Sequence, residues 1–260
     1  MRRHFWFPVF LAVIVALSSC SKPAQPKAST ISTAPPAKPV YYKVDPATAG
    51  TITGRVVFEG RRPKRVAIDM SEDADCSKLH KAPVYDQSLV VNSNGTLANV
   101  FVYVKHGLEG GTFETPKDPV VLDQKGCWYT PRVLGIQTRQ ILRVVNSDPV
   151  THNIHPMAQE NRAWNQSQDP GAAPLRRYFI HQEIMIPVKC NVHSWMRAWI
   201  GVLDHPYFSV TGSDGRFEIR NLPPGDYTIE AWQEKLGTQE QKISLSASGT
   251  QSLVFTFKGD

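Results

Sequence analysis

Two short stretches carry side chains of the kind that hold a transition metal. The first is Val144-Val-Asn-Ser-Asp-Pro-Val-Thr-His152-Asn153-Ile-His155, an apolar strand pattern that ends in histidines. The second is Lys189-Cys190-Asn-Val-His193-Ser-Trp-Met196, in which a thiol, an imidazole and a thioether follow one another at intervals of three. Two imidazoles and one thiolate in a plane, with a weak thioether contact along the axis, make a mononuclear copper site. The soft thiolate couples strongly to copper, and the protein holds one geometry for both oxidation states. His152, Cys190, His193 and Met196 supply that set. His155 is the substitute for His152 if the loop runs differently. Zinc is a poorer match, because a thioether ligand suits copper far better. The competing reading is that Cys190 is an ordinary buried thiol with a structural role.

Other chemistries find no support. A dinuclear copper centre needs a second bridging thiolate in the loop, and a trinuclear cluster needs His-x-His pairs; neither is present. No Gly-x-Ser-x-Gly, His-Glu-x-x-His or phosphate-loop pattern appears, and the expectation is that the chain is not an enzyme. The net charge of +6 comes from 29 basic and 23 acidic residues, without a dense basic stripe interleaved with aromatics. Nucleic acid is therefore not an expected partner.

The elements that must position these side chains read as β-strands throughout. Period-two alternation recurs at Thr51 to Phe58, Asn99 to Lys105 (Val100, Val102 and Val104 on one face), Gln140 to Val145, Arg216 to Ile219, Tyr227 to Trp232 and Ser252 to Phe257. No segment keeps a 3.6-residue period, so the fold class is all-β, built as sandwiches or barrels. Asp214-Gly215 suits a tight hairpin and Pro224-Gly225 a second turn.

Two family resemblances sharpen this. Ser213-Asp-Gly-Arg-Phe217 and Leu222-Pro-Pro-Gly-Asp-Tyr227, within residues 203 to 258, resemble the carboxypeptidase regulatory-like family, which implies a transthyretin-like β-sandwich. Gly50-Thr-Ile-Thr-Gly-Arg-Val56 and Asn99-Val-Phe-Val-Tyr-Val104 look like the opening strands of that family, far upstream. The middle segment, with its His-Asn pair and Cys-x-x-His-x-x-Met loop, resembles the cupredoxins and within them the amicyanin type. That implies a Greek-key cupredoxin-like sandwich, one type 1 copper, and a role for Asn153 in bracing the two ligand loops. The expected organisation is a first part of the regulatory-like sandwich at 49–112, a cupredoxin-like domain at 113–204 and the remainder of the regulatory-like sandwich at 205–260. Two sequential β-domains are the alternative.

The N-terminus has the parts of an export signal. Arg2-Arg3 precede an apolar run from Phe5 to Leu17, too short for an ordinary membrane span, and the run ends at Leu17-Ser-Ser-Cys20. This resembles the bacterial lipobox, which implies a signal peptide at 1–19, lipidation of Cys20 and a lipid membrane as partner. Ser21 resembles the signal for the outer membrane, so the expected location is the cell envelope, facing the periplasm. Residues 20–48 are rich in Pro, Ala, Ser, Thr and Lys and read as a flexible tether. With Cys20 lipidated, Cys76, Cys127 and Cys190 remain; Cys76 and Cys127 are assigned to a disulfide because the surroundings of Cys190 suit ligation. The expected function is one-electron transfer with an unidentified redox partner protein. The alternatives are a metal-free envelope module that binds carbohydrate or protein, and copper sequestration or delivery.

Overall fold

Alternating side chains build two sandwiches, and the chain enters the first, leaves it to build the second, and returns. In the first, Gly50–Glu59 lies between Arg216–Leu222, antiparallel, and Thr250–Lys258, parallel. The facing sheet runs Phe208–Val210, Phe101–His106, Gly225–Gln233, Gly237–Leu245. Ile52, Val56, Val102, Ile229, Phe255 and Phe257 fill the space between these sheets. The structure is a computed structural model that describes residues 40–259. The signal peptide at 1–19, Cys20, Ser21 and the tether as far as residue 39 lie outside the described residues.

The second sandwich stacks a five-stranded sheet on a four-stranded one. The five run Gln166–Gln168, His152–Pro156, Glu183–Lys189, Arg197–Leu203, Val133–Gln137; the four run Leu175–Arg177, Leu142–Asn146, Val120–Gln124, Tyr129–Thr130. Leu122, Ile136, Val144, Ile154, Val188 and Ile200 form its core. Each sheet holds one parallel pair, so connections pass from one sheet to the other, as in Greek-key sandwiches.

The sandwiches meet along a third apolar cluster that contains Phe101, Tyr103, Val133, Met185 and Leu203. Strand parity explains it: Val100, Val102 and Val104 face their own core, while Phe101 and Tyr103 point across the seam. Residues 100 to 104 are therefore all buried. The Phe101 and Phe208 rings, 5.6 Å apart, lie on the paired glycines Gly135 and Gly201. A Cβ at Gly201 would come within 2.6 Å of Phe101 Cζ, so close approach of the sheets requires glycine there. Arg132, buried, crosses the same seam with two 2.9 Å hydrogen bonds to Glu234.

Three features depart from the sequence reading. Asp214-Gly215 does not close a hairpin: Phe208–Val210 and Arg216–Leu222 belong to opposite sheets, and the turn carries the chain between them. Residues 61 to 89, assigned to the first sandwich, form a strap whose Ile68, Met70, Cys76 and Val84 pack on the core of the second. The strap contains the one α-helix among the described residues, Ala74–Lys78, capped by Asp73, whose carboxylate accepts from the Asp75 and Cys76 N–H groups. Five residues are too few to display a helical period.

His205 gives the fold a pH dependence. Its Nε2 donates to the Val104 carbonyl at 3.0 Å and its Nδ1 accepts the Tyr207 N–H at 3.2 Å, so a second proton has no place to go. Burial pushes its pKa down to about 4, against an ordinary value of 6.5. The unfolded chain therefore binds the extra proton first. Stability from this site is complete above about pH 6.5 and is lost as pH falls towards 4, by about 3 kcal/mol. Urea unfolding from pH 7.5 to 4 should show this decline flattened in His205→Gln; parallel pH profiles would refute it.

Candidate metal centre

His152 opens the strand His152–Pro156, and Cys190, His193 and Met196 lie on the turn between Glu183–Lys189 and Arg197–Leu203. The turn is closed by two backbone hydrogen bonds, Cys190 N–H to Met196 O (3.2 Å) and Met196 N–H to His193 O (3.1 Å). Closure folds the Cys190 sulfur under the turn, where the Val192 and His193 N–H groups each donate to it at 3.4 Å. Burial works against a thiolate here. The hydrogen bonds from His152 and from these amides outweigh it and bring the Cys190 pKa down to about 7.

His152, Cys190 and His193 converge, with one donor atom from each within 4.8 Å of the others. The Nδ1 atoms of His152 and His193 are 3.1 Å apart, and the Cys190 sulfur is 3.9 Å from the Nδ1 of His193. Both far nitrogens face carboxylates: His152 Nε2 lies 2.8 Å from Asp148 Oδ2 and His193 Nε2 lies 3.0 Å from Asp73 Oδ2. Each Nε2 therefore carries its proton as a donor, so that with both rings neutral two lone pairs would face each other across 3.1 Å. Such an arrangement needs a cation between the rings. A proton meets that need at some cost: burial opposes charge on His152, yet Asp148 and Cys190 raise its proton affinity overall. A metal ion meets it fully, since bond lengths of about 2.0 Å to nitrogen and about 2.3 Å to sulfur fit the observed edges. The residues present thus fit a His₂Cys metal site.

Met196 is fully buried and shares the core cluster of Cys190. His155 does not join this group of side chains. It sits three residues along the strand from His152, on the opposite face, where its Nδ1 lies 3.3 Å from Asn191 Oδ1. Asn153 Oδ1 accepts the Asn191 N–H at 3.1 Å and so ties the first ligand strand to the Cys190 turn.

Cys76 and Cys127 are joined in a disulfide, which fastens the strap over the site. It brings the Cys76 sulfur 3.5 Å from His193 Nε2 and sets Asp73 against the same nitrogen. Trp195 covers the other side of His193, ring centroids 5.1 Å apart, with its Nε1 donating to the Cys127 carbonyl. Neither carboxylate was singled out by sequence. Asp148 stood in plain view, four residues before His152; Asp73 has no local signal, being 120 residues from its partner.

Residues 202–258 match the carboxypeptidase regulatory-like domain. That stretch is the C-terminal part of the first sandwich, which Gly50–Glu59 and Phe101–His106 complete. Among solved structures, the chain is similar to a Cu-containing nitrite reductase from Thermus scotoductus SA-01, at 19% identity over 39% of this chain and a TM-score of 0.32. The match spans about a quarter of that enzyme, 26%. It is also similar to two amicyanin mutants in the oxidized state. A proline-to-alanine mutant matches at 18% identity, covering 32% of this chain and 81% of that one, with a TM-score of 0.30. A proline-to-glycine mutant matches at 16%, covering 39% and 97%, with a TM-score of 0.30. No curated protein matches the chain.

Asp148 accepts three hydrogen bonds at the site. Beside His152 it accepts the N–H groups of Gly126 (2.6 Å) and Cys127 (2.7 Å), and it is buried. Asp148→Ala would leave three donors without an acceptor, two of them buried, at a cost of about 3 kcal/mol, and would free the His152 ring to turn. Urea unfolding and competitive copper titration should show that loss together with a metal affinity lower by roughly 10- to 100-fold. Unchanged affinity would mean that the ring is held by packing alone.

Proposed function

We propose that this chain is a lipid-anchored extracytoplasmic copper protein that transfers single electrons, with copper held by His152, Cys190, His193 and Met196. The observation that carries the reading is the pair of Nδ1 atoms facing each other at 3.1 Å, both rings fixed from behind by carboxylates, beside the Cys190 thiol. Bound there, copper would supply a one-electron couple. The protein's own part is to hold the donors still and keep water away: His152, Cys190, His193 and Met196 are all buried. Asp148 and Asp73 keep the two rings from rotating, with Nδ1 of each turned towards the site. A buried, pre-set donor group suits electron transfer, where little may move, better than turnover of a substrate. The tether and Cys20 would place the site beside a membrane and raise the effective concentration of a partner there.

The test uses residues 20–260 with Cys20→Ser, to which Cu(II) is added while the visible and electron paramagnetic resonance spectra are recorded. One equivalent of copper, an intense visible band and a narrow hyperfine splitting are expected. Protein that stays colourless and retains no stoichiometric copper would overturn the metal reading in favour of a metal-free envelope module. Colourless protein holding exchangeable Cu(I) would favour delivery. Labelled palmitate fed to cells that make the full chain should be incorporated, and Cys20→Ser should abolish it; labelling of that variant would refute the anchor.

A further inference from the structure

The strap encloses a groove of about 1140 Å³, whose walls continue to Trp128 and Lys235. Its rim carries Arg62, Lys64, Arg65, Lys81 and Lys235 against one carboxylate, Asp86. All five cations are exposed, and among the described residues none of them is in a salt bridge. Asp86 is committed elsewhere, accepting the Ser88 N–H at 2.7 Å and its hydroxyl. The groove also exposes apolar surface, with Val66 66% and Leu79 39% accessible. Arg62 donates to the Asn92 carbonyl at 2.7 Å and Arg65 lies 3.8 Å over the Tyr85 ring, but neither contact neutralises charge, so the rim attracts a partner with acidic residues around an apolar centre.

This groove borders a route to the metal centre that runs through the disulfide. Trp128, in its wall, follows Cys127; Cys127 is bonded to Cys76; and the Cys76 sulfur is 3.5 Å from His193 Nε2. His80, also lining the groove, reaches the Gly126 carbonyl at 2.8 Å. The imidazoles themselves are closed to solvent, with His152 0% and His193 2% exposed, so no partner can touch them directly.

We propose that the groove is the docking face for an acidic protein electron-transfer partner, with the electron crossing through Trp128, the Cys127–Cys76 bond and the 3.5 Å gap to His193. The transfer clause rests on the copper reading above; the docking clause does not. One electron moves, the partner's centre gains what this site loses, and no bond is made or broken. A protein is favoured over a lipid surface because a bilayer is flat and cannot reach the floor of a groove, whereas a convex acidic patch can.

The probe for docking is hexacyanochromate(III), a paramagnetic anion, added to metal-free residues 20–260 with Cys20→Ser. Amide signals of the strap and the Trp128 indole should broaden first, with affinity falling steeply as salt rises. The double reversal Lys64→Glu/Lys81→Glu should remove the footprint, and Lys258→Glu, outside the groove, should not. With copper-loaded protein, oxidation by hexacyanoferrate(III) should slow at least ~10-fold in the double variant, while oxidation by the cationic tris(phenanthroline)cobalt(III) should not slow. A footprint elsewhere, or one indifferent to the reversal, would overturn the proposal. So would vesicles containing phosphatidylserine that bind through these lysines while hexacyanochromate leaves the groove untouched. The footprint is read without copper, so its failure is distinct from failure of the metal site. A normal footprint with an unchanged hexacyanoferrate rate would overturn the electron route.

Discussion

Cys190→Ser should abolish the intense visible band of the copper-loaded protein and leave the metal-free fold almost unchanged. The band belongs to charge transfer from a thiolate, and Cys190 is the free cysteine among the described residues. A serine hydroxyl is a hard, protonated donor that cannot replace it. The fold should tolerate the change because Cys190 acts structurally as an acceptor of the Val192 and His193 N–H groups, and a serine oxygen can accept both. The closing hydrogen bonds of the turn, from Cys190 N–H and from Met196 N–H, are backbone and survive. Unfolding of the metal-free variant should stay within about 1 kcal/mol of the parent. Spectroscopy and urea unfolding of the same samples separate the two effects. Colour that persists would place the thiolate outside the site, and colour lost together with several kcal/mol would mean that the sulfur holds the turn.

How much of this was legible beforehand depends on sequence distance. The Cys190, His193 and Met196 turn is local: three donors at intervals of three on one loop converge whatever the rest of the chain does. His152 could be placed because an alternating strand leads into it. Its distinction from His155 needed the strand's parity, which the structure supplies through Ile154 in the core and His155 turned to Asn191. The second half of the regulatory-like sandwich was legible from its turns, but a turn does not say which sheets it joins, and Asp214-Gly215 joins two. Phe101 and Tyr103 alternate correctly and are still buried, because a second sandwich covers the face that a lone sandwich exposes to water. Asp73 and the strap were invisible in their role for a related reason. Nothing near residue 73 announces a histidine that only the tertiary fold brings to it.

That strap makes the disulfide the second large expected effect. The double variant Cys76→Ser/Cys127→Ser should lose about 4 kcal/mol of stability, since cross-links that close long loops restrict the unfolded chain most, and this one spans 51 residues. Both cysteines are fully buried, so the replacing hydroxyls must also find partners. The remaining ties of the strap's middle to the second sandwich are few: His80 to the Gly126 carbonyl, Asp73 to His193, and the packing of Ile68, Met70 and Val84. Without the bond, the Asp73 carboxylate should leave His193 Nε2 for part of the time. The ring would then be free to rotate and to turn Nδ1 away from the metal. Copper should accordingly pass to an external chelator at least ~10-fold faster than from the parent, in line with the usual effect of losing a carboxylate behind a ligand histidine. Urea unfolding and the rate of transfer to the chelator are the measurements. A loss under about 1 kcal/mol with unchanged transfer would mean that the strap holds itself closed and the disulfide is dispensable. The two readouts are coupled through Asp73, because the covalent bond that restrains the chain also positions the carboxylate that fixes the ligand.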